Sequence, residues 1–400
     1  MMLRKATRIL LRETRLPLAQ WVVRRRLTTF PEPERGAVAI LRPDLIGDFV
    51  LATPALVALR RAFENKRVTL FGHPLWIPLA EWLQRWRIVE GEENGQFADA
   101  FAPLTEDDLV KPAAMLDGVM RLAPYETIVY FAASRTTNID TLLSLTPGHK
   151  IAWQGGYGNM PVSRERANRR IYDTLYDVPG DAAEYMRNAR MAAALDSKSA
   201  IPETPPRWRI PPEAIEETLT GFEPGLDKPF VAISPFTSVS LKNWPLDRYE
   251  KLVRRLEEAF PDHQFLLLGD KANSPLNALA QRSPRVTDLC GKTTLPQACC
   301  LIARAELSIS GDTAAAHIAS AVGTPALVVM GGGHYGRFFP YPAAHEECEN
   351  VALTHEMPCF QCNWVCRYRW FRETPTPCVA NVSVDSVFDA AVRLLQSRGR

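Results

Sequence analysis

The sequence predicts an α/β protein of two Rossmann-like halves, each a doubly wound parallel sheet, with the two sheets facing a central cleft. Three observations carry this prediction. Apolar runs of strand length recur along the chain, stretches with helix-start signals and helical period alternate with them, and a proline-rich segment near the middle separates two rounds of the pattern. At 400 residues the chain is too long for one ordinary core, and its 46% hydrophobic and 23% charged residues are ordinary for a globular protein.

The first round opens with AVAILR (Ala37 to Arg42), apolar at every position but the last, as in a strand buried on both faces. A loop follows, Pro43 to Asp48. Thr53-Pro54 reads as a helix start, with threonine as cap and proline at the first helical position, and the helix runs to about Phe63. VTLFG (Val68 to Gly72), ETIVYF (Glu126 to Phe131) and HKIAW (His149 to Trp153) are the next strands. Prolines 202, 205, 206, 211, 212, 224 and 229 mark the connection between the halves.

The second round begins at PFVAIS (Pro229 to Ser234), after which Pro245 opens a helix. QFLLLG (Gln264 to Gly269), ELSIS (Glu306 to Ser310) and PALVVM (Pro325 to Met330) read as strands, with helices over Leu295 to Ala303 and Thr313 to Val322. The chain divides into a basic segment (1–35), an N-terminal domain (36–205) and a C-terminal domain (206–400).

A net charge of +2 gives no overall field for nucleic acid. The charge is uneven, however. Arg4, Lys5, Arg8, Arg12, Arg15, Arg24, Arg25 and Arg26 crowd residues 1–30 against one acid, Glu13. With Leu10, Leu11, Leu18, Trp21 and Val22 among them, these residues read as helical, broken or kinked at Pro17. Such pieces suit either an anionic membrane surface or packing on the protein body. No apolar run is long enough to span a bilayer and no signal-peptide core is visible, so the expected location is cytoplasmic, peripheral on the inner face of the inner membrane. Cys359, Cys362, Cys366 and Cys378 have metal-ligand-like spacing and suit a structural zinc or iron; the alternative is free or partly oxidised thiols.

Open parallel sheets bind ligands beyond the carboxyl ends of their strands, so the loops there are the candidates for chemistry. After Ser310 come Gly311, Asp312, Thr313, Ala314, Ala315, Ala316 and His317. Asp312 or Thr313 can cap the new helix, whose free N–H groups and partial positive charge suit a diphosphate, and His317 follows one turn on. The loop after Ser234 holds Thr237, Ser238, Ser240 and Lys242 just before a helix, a second anion-binding arrangement. Asp48, after Gly47, offers a carboxylate for proton transfer, with plain helix capping the competing reading. Gly331, Gly332 and Gly333 would allow close backbone contact with a ligand. Neither a Walker loop nor a dinucleotide fingerprint is present, which weighs against a nicotinamide dehydrogenase.

Three blocks together resemble glycosyltransferase family nine, the ADP-heptose:lipopolysaccharide heptosyltransferases. They are ILRPDLIGDFVLATPALVALRRAF (Ile40 to Phe63), ISPFTSVSLKNWPLDRYEKL (Ile233 to Leu252), and the stretch from Cys290 to Gly332 containing GKTT, GDTAAAH and GTP. The resemblance implies a GT-B fold and inverting transfer with no catalytic metal. The N-terminal domain would take the acceptor and the C-terminal domain the nucleotide sugar, with domain closure aligning the two. By the same resemblance Asp48 is the general base, Thr237, Ser238 and Lys242 hold and neutralise the diphosphate, and Asp312, Thr313, Ala314 and His317 bind the donor. Ala314 stands where the family has glycine, and Gly331 to Gly333 replace a Gly-Pro. The expected donor is a nucleotide sugar, ADP-heptose favoured. The expected acceptor is a lipid-linked or other surface glycan, with membrane contact through residues 1–30 and no nucleic acid. The alternatives are a protein O-heptosyltransferase, with which the cysteine cluster has a parallel in a four-cysteine iron-binding finger, and a non-catalytic nucleotide-sugar-binding member.

Overall fold

The computed structural model describes residues 16–27, 29–90, 95–154, 162–177, 180, 182–196, 203–222, 228–270, 277–342, 349–368 and 375–398. The chain forms two compact units. The first comprises Met1–Gln84, Gly91–Ala182 and Met186–Glu203; the second comprises Arg85–Glu90, Ala183–Tyr185 and Thr204–Arg400.

The first unit is built on a six-stranded sheet of β1 (Glu34–Arg42), β2 (Arg67–Gly72), β3 (Ala100–Pro103), β4 (Tyr125–Tyr130), β5 (His149–Trp153) and β6 (Thr174–Tyr176), in the order β3-β2-β1-β4-β5-β6. All neighbours are parallel. β1 is central, with Ile40 opposite Leu70 on one side and Val129 on the other. That position explains why Ala37 to Leu41 are all apolar and buried.

The first helix after β1 corrects the sequence reading. It spans Ile46–Ala62 and takes Pro54 into its interior, so Thr53-Pro54 is not its start. Proline has no N–H to give the carbonyl four residues earlier, that of Val50. The buried Thr53 hydroxyl donates to that same carbonyl at 2.8 Å, which replaces the missing bond and lets the helix continue. Asp48 therefore lies in the first helical turn rather than in a loop. It is not the cap: Leu45 holds that position and makes no side-chain capping bond.

Residues 16–26 form one helix, with Pro17 at its second described position and no break after it. Leu16, Ala19 and Val23 are buried against Ile128, Leu142 and their neighbours, so this face belongs to the core. Leu18 and Trp21 lie outward, 54% and 52% exposed. Residues 1–15, with Leu10, Leu11 and five of the eight basic residues of that cluster, lie outside the described residues.

The second unit repeats the design. Its strands β7 (Phe230–Ser234), β8 (Gln264–Leu267), β9 (Val286–Asp288), β10 (Leu307–Gly311), β11 (Ala326–Val329) and β12 (Asn350–Leu353) run in the order β12-β11-β10-β7-β8-β9. All pairs are again parallel. Counted within each unit, the strand order is the same in both sheets: third, second, first, fourth, fifth, sixth. The core packs Trp244, Tyr249, Leu252 and Leu256 against β7 and β11, and Val387, Ala391 and Leu394 close it from the C-terminal helix. Two short returns of chain complete this unit. Val89 bridges Trp208, while the Glu184 N–H donates to Arg337 O at 2.8 Å and the Glu184 carboxylate pairs with the Arg337 guanidinium at 3.2 Å.

Candidate functional site

In a sheet of this order the chain winds off in opposite directions from the first and fourth strands, which opens a crevice between the loops that follow them. In the second unit those are the loops after β7 and β10, and they hold the predicted donor residues. Thr313 caps the helix Ala314–Ala321, its side chain accepting from Ala315 N at 3.2 Å. That leaves Asp312 for another role: its Oδ2 receives the Lys242 ammonium at 2.7 Å. The pair is largely withdrawn from water, with Lys242 20% and Asp312 8% exposed. The two loops are pressed together at Gly311, where a Cβ would stand 3.0 Å from the Thr237 methyl.

The loop after β7 braces itself. Thr237 N donates to Asn243 Oδ1 at 2.8 Å and the Thr237 hydroxyl to Val239 O at 2.7 Å, a local turn that shapes the approach to Lys242. Ser238 is exposed. Trp244, fully buried, anchors the far end through its indole N–H on Val382 O at 3.0 Å. The arrangement is a helix N-terminus and a held ammonium on one crevice, a cradle for an anionic group.

His317 is buried one turn below that N-terminus, with Nδ1 2.8 Å from the Tyr341 hydroxyl. Burial pushes its pKa down to about 4, and the Lys242 charge adds to the shift while Asp312 opposes it. His317 is thus neutral near neutral pH and supplies hydrogen bonding rather than charge.

The glycines after β11 correct a second expectation. A Cβ on Gly332 would meet the Phe360 ring at 2.4 Å, and one on Gly333 would meet Trp364 at 2.7 Å. Their missing side chains make room for the cysteine loop, not for ligand contact through a bare backbone. Gln361 N and Asn363 N donate to Gly332 O (2.8 Å) and Gly333 O (2.9 Å), which fixes that loop on the glycine segment. Cys359, Cys362, Cys366 and Cys378 line one small cavity there. Burial, with the other three cysteines adding, pushes the Cys362 thiol up. As placed, they are not a ligand set: among the described residues no group of three or more His, Cys, Asp or Glu is arranged to hold a metal ion.

In the first unit the matching crevice is flanked by the loops after β1 and β4, and Asp48 sits at the helix start beside the first. Its surroundings are organised by Arg42, 1% exposed. The guanidinium donates to Phe131 O (3.0 Å), Asn188 Oδ1 (3.0 Å) and Asp48 O (3.1 Å), and pairs with Asp44 at 3.1 Å. One buried cation thereby ties both crevice loops and the Asp48 turn together. Sequence reading assigned Arg42 no role, although a lone charge ending an apolar strand was the available signal. Tyr341 and Trp364 gave no local signal, since their contacts come from distant parts of the chain.

The sequence profile of glycosyltransferase family 9 (heptosyltransferase) matches residues 160–365. The chain belongs to this family. Within family 9 it is 26% identical over 194 residues to lipooligosaccharide heptosyltransferase 2 of Haemophilus influenzae, covering 46% of this chain and 54% of that one. It spans 32% to 59% of the length of four curated heptosyltransferases that it matches. Among solved structures it resembles Escherichia coli ADP-heptose lipopolysaccharide heptosyltransferase II, with a TM-score of 0.66 at 15% identity over 91% of this chain and all 100% of that one. It also resembles the iron-containing dodecameric glycosyltransferase TibC of enterotoxigenic E. coli, with a TM-score of 0.53 at 12% identity over 92% and 78%. At these identities the likeness is one of fold, the two-domain α/β arrangement called GT-B.

Proposed function

We propose that this family 9 chain is an inverting glycosyltransferase that moves a sugar, heptose from ADP-heptose favoured, onto a lipopolysaccharide-type or other surface glycan. The observation that carries the reading is the Lys242 ammonium fixed 2.7 Å from Asp312 beside the N-terminus of Ala314–Ala321. In this reading the second unit holds the donor: Lys242, Thr313 and the helix N-terminus at Ala314 receive the diphosphate, with Thr237 and Ser238 on the approach. Neutral His317 supports the floor beneath them. The first unit activates the acceptor. Asp48 takes the proton of the attacking hydroxyl, whose oxygen bonds to the anomeric carbon from the side opposite the diphosphate. The bond from that carbon to the diphosphate oxygen breaks, and its electron pair leaves with ADP. Lys242 and the helix N-terminus take up the developing charge, so no catalytic metal is required in this reading.

A panel of ADP-, UDP- and GDP-sugars tests the proposal by nucleotide release with and without glycan acceptor. Turnover with ADP-heptose, much reduced in Lys242→Ala and Asp48→Ala, is the expected result. Equal turnover in Asp48→Ala would remove the base.

Two finer readings rest on particular features. The spacing of the four cysteines supports a protein acceptor as the second reading, although the thiols that share one cavity are not arranged to hold a metal ion. A protein-acceptor assay tests it. The outward Leu18 and Trp21, beside Arg24, Arg25 and Arg26, support contact with an anionic membrane surface. No described helix is long and apolar enough to cross a membrane.

A further inference from the structure

The cysteine loop does more than pack. Trp364, between Cys362 and Cys366, lays its indole face over the Lys242 ammonium, 4.6 Å from the ring centroid. The same ring is pinned from behind. Its atoms lie 2.9 Å from a Cβ built on Gly331 and 2.7 Å from one built on Gly333, so only glycine allows it to sit there. The His334 ring meets it edge-on at 6.1 Å.

The backbone is bent to deliver the indole. Gln361, Asn363 and Trp364 have φ of 59°, 48° and 58°, the left-handed region that strains a non-glycine residue. Three such residues persist because the loop is over-determined. Two N–H bonds to Gly332 and Gly333 hold it, and the Asn363 side chain bonds His334 Nε2 at 2.9 Å and Arg337 Nη1 at 3.3 Å.

The ammonium has three N–H groups. One is taken by Asp312, and the ring face of Trp364 occupies a second side. The rest is left for an incoming anion, and at 20% exposure it is reachable. Asp312 alone fixes a distance; Asp312 and the ring together fix a direction.

We infer that Trp364 is a positioning residue for the donor site, holding Lys242 where it meets the donor diphosphate, so that the cysteine loop is a working wall of that site. This rests on the reading of Lys242 as the diphosphate ligand. A cation–π contact of about 0.5–2 kcal/mol corresponds to roughly 2- to 30-fold in binding.

The test compares Trp364→Leu, Trp364→Phe and Gly333→Ala, the last of which keeps the indole but pushes it off its seat. Two readouts are needed: the rate at which an amine-directed reagent labels Lys242 in the free protein, followed by mass spectrometry, and the affinity for ADP with the split of kcat and donor KM. Trp364→Leu and Gly333→Ala should speed Lys242 labelling, weaken ADP and raise donor KM by about 2- to 30-fold, and leave acceptor KM unchanged, whereas Trp364→Phe should restore most of both. Unchanged Lys242 labelling in both Trp364→Leu and Gly333→Ala, in protein that melts like the wild type, would overturn the inference. Faster labelling with unchanged ADP affinity would uphold the hold on Lys242 and sink the diphosphate reading instead.

Discussion

The two sheets share one strand order, yet their crevices are furnished with opposite charge. After β7 and β10 the chain sets out Lys242, a helix N-terminus and neutral His317, the fittings for a polyanion. After β1 it sets a carboxylate, Asp48, in the first turn of a helix, with Arg42 buried beneath it and committed to carbonyls, Asn188 and Asp44. The topology dictates where a ligand can sit, while the side chains at the same two strand ends decide which kind. In the second unit the cation, Lys242, stays partly exposed; in the first the cation, Arg42, is buried and structural, and Asp48 is half-buried in the first turn of a helix.

The sharpest way to break this contrast is to exchange what each crevice presents. Asp48→Asn should cut kcat by about 10²–10⁴ while leaving ADP affinity as it was, the size of a lost general base. Lys242→Ala should cut kcat by about 10²–10³ and weaken ADP as well. Isothermal titration with ADP alongside steady-state kinetics separates the two, and equal loss of ADP affinity in both variants would erase the division of labour.

Arg42→Met probes the buried cation. Four groups lose their partner at once, so unfolding should become easier by about 2–4 kcal/mol, read as a lowered midpoint in urea. Asp48-dependent turnover should fall with it. The pH dependence of stability addresses the other crevice. His317 and His334 both have pKa values pushed down to about 4 by burial, against about 6.5 when unfolded. The unfolded chain therefore binds more protons between those values, and stability is lost as pH falls from about 6.5 toward 4, by about 1–3 kcal/mol per histidine. His317→Asn should flatten part of that slope. Thr53→Val, which removes the hydroxyl serving the Val50 carbonyl, should cost about 1–2 kcal/mol. Trp21→Ser should leave melting unchanged and reduce only sedimentation with anionic liposomes.

Much of the fold was legible because central parallel strands are apolar on both faces, as Ala37 to Leu41 and Val231 to Ile233 are. The strands Ala100–Pro103, Thr174–Tyr176, Val286–Asp288 and Asn350–Leu353 were not, since each is three or four residues long and three of the four are at most half-buried along their length. The start of Ile46–Ala62 was misread because Leu45 gives no capping signal while Thr53-Pro54 imitates one. At the crevice after β7 and β10 Thr313 showed itself as a cap, and Lys242 as a lysine among hydroxyls. Trp364 did not, because its partner lies far away in sequence and nothing in Cys362 to Cys366 hints at a lysine. The glycine run was visible but its reason was not: the neighbour that needs the space, Phe360 or Trp364, is supplied only by the folded chain.

The second unit borrows two short pieces from earlier in the chain, Arg85–Glu90 and Ala183–Tyr185. A polypeptide begun at Thr204 would lack the Val89 partner of Trp208, the Glu184 partner of Arg337 and the Tyr185 ring that packs on Tyr341. Tyr341 in turn holds His317. The second unit is therefore not a separable module in the genetic sense. A recombination event or a designed swap at the proline-rich stretch would inherit a lobe with these seams unstitched, and grafts should carry those two strips along.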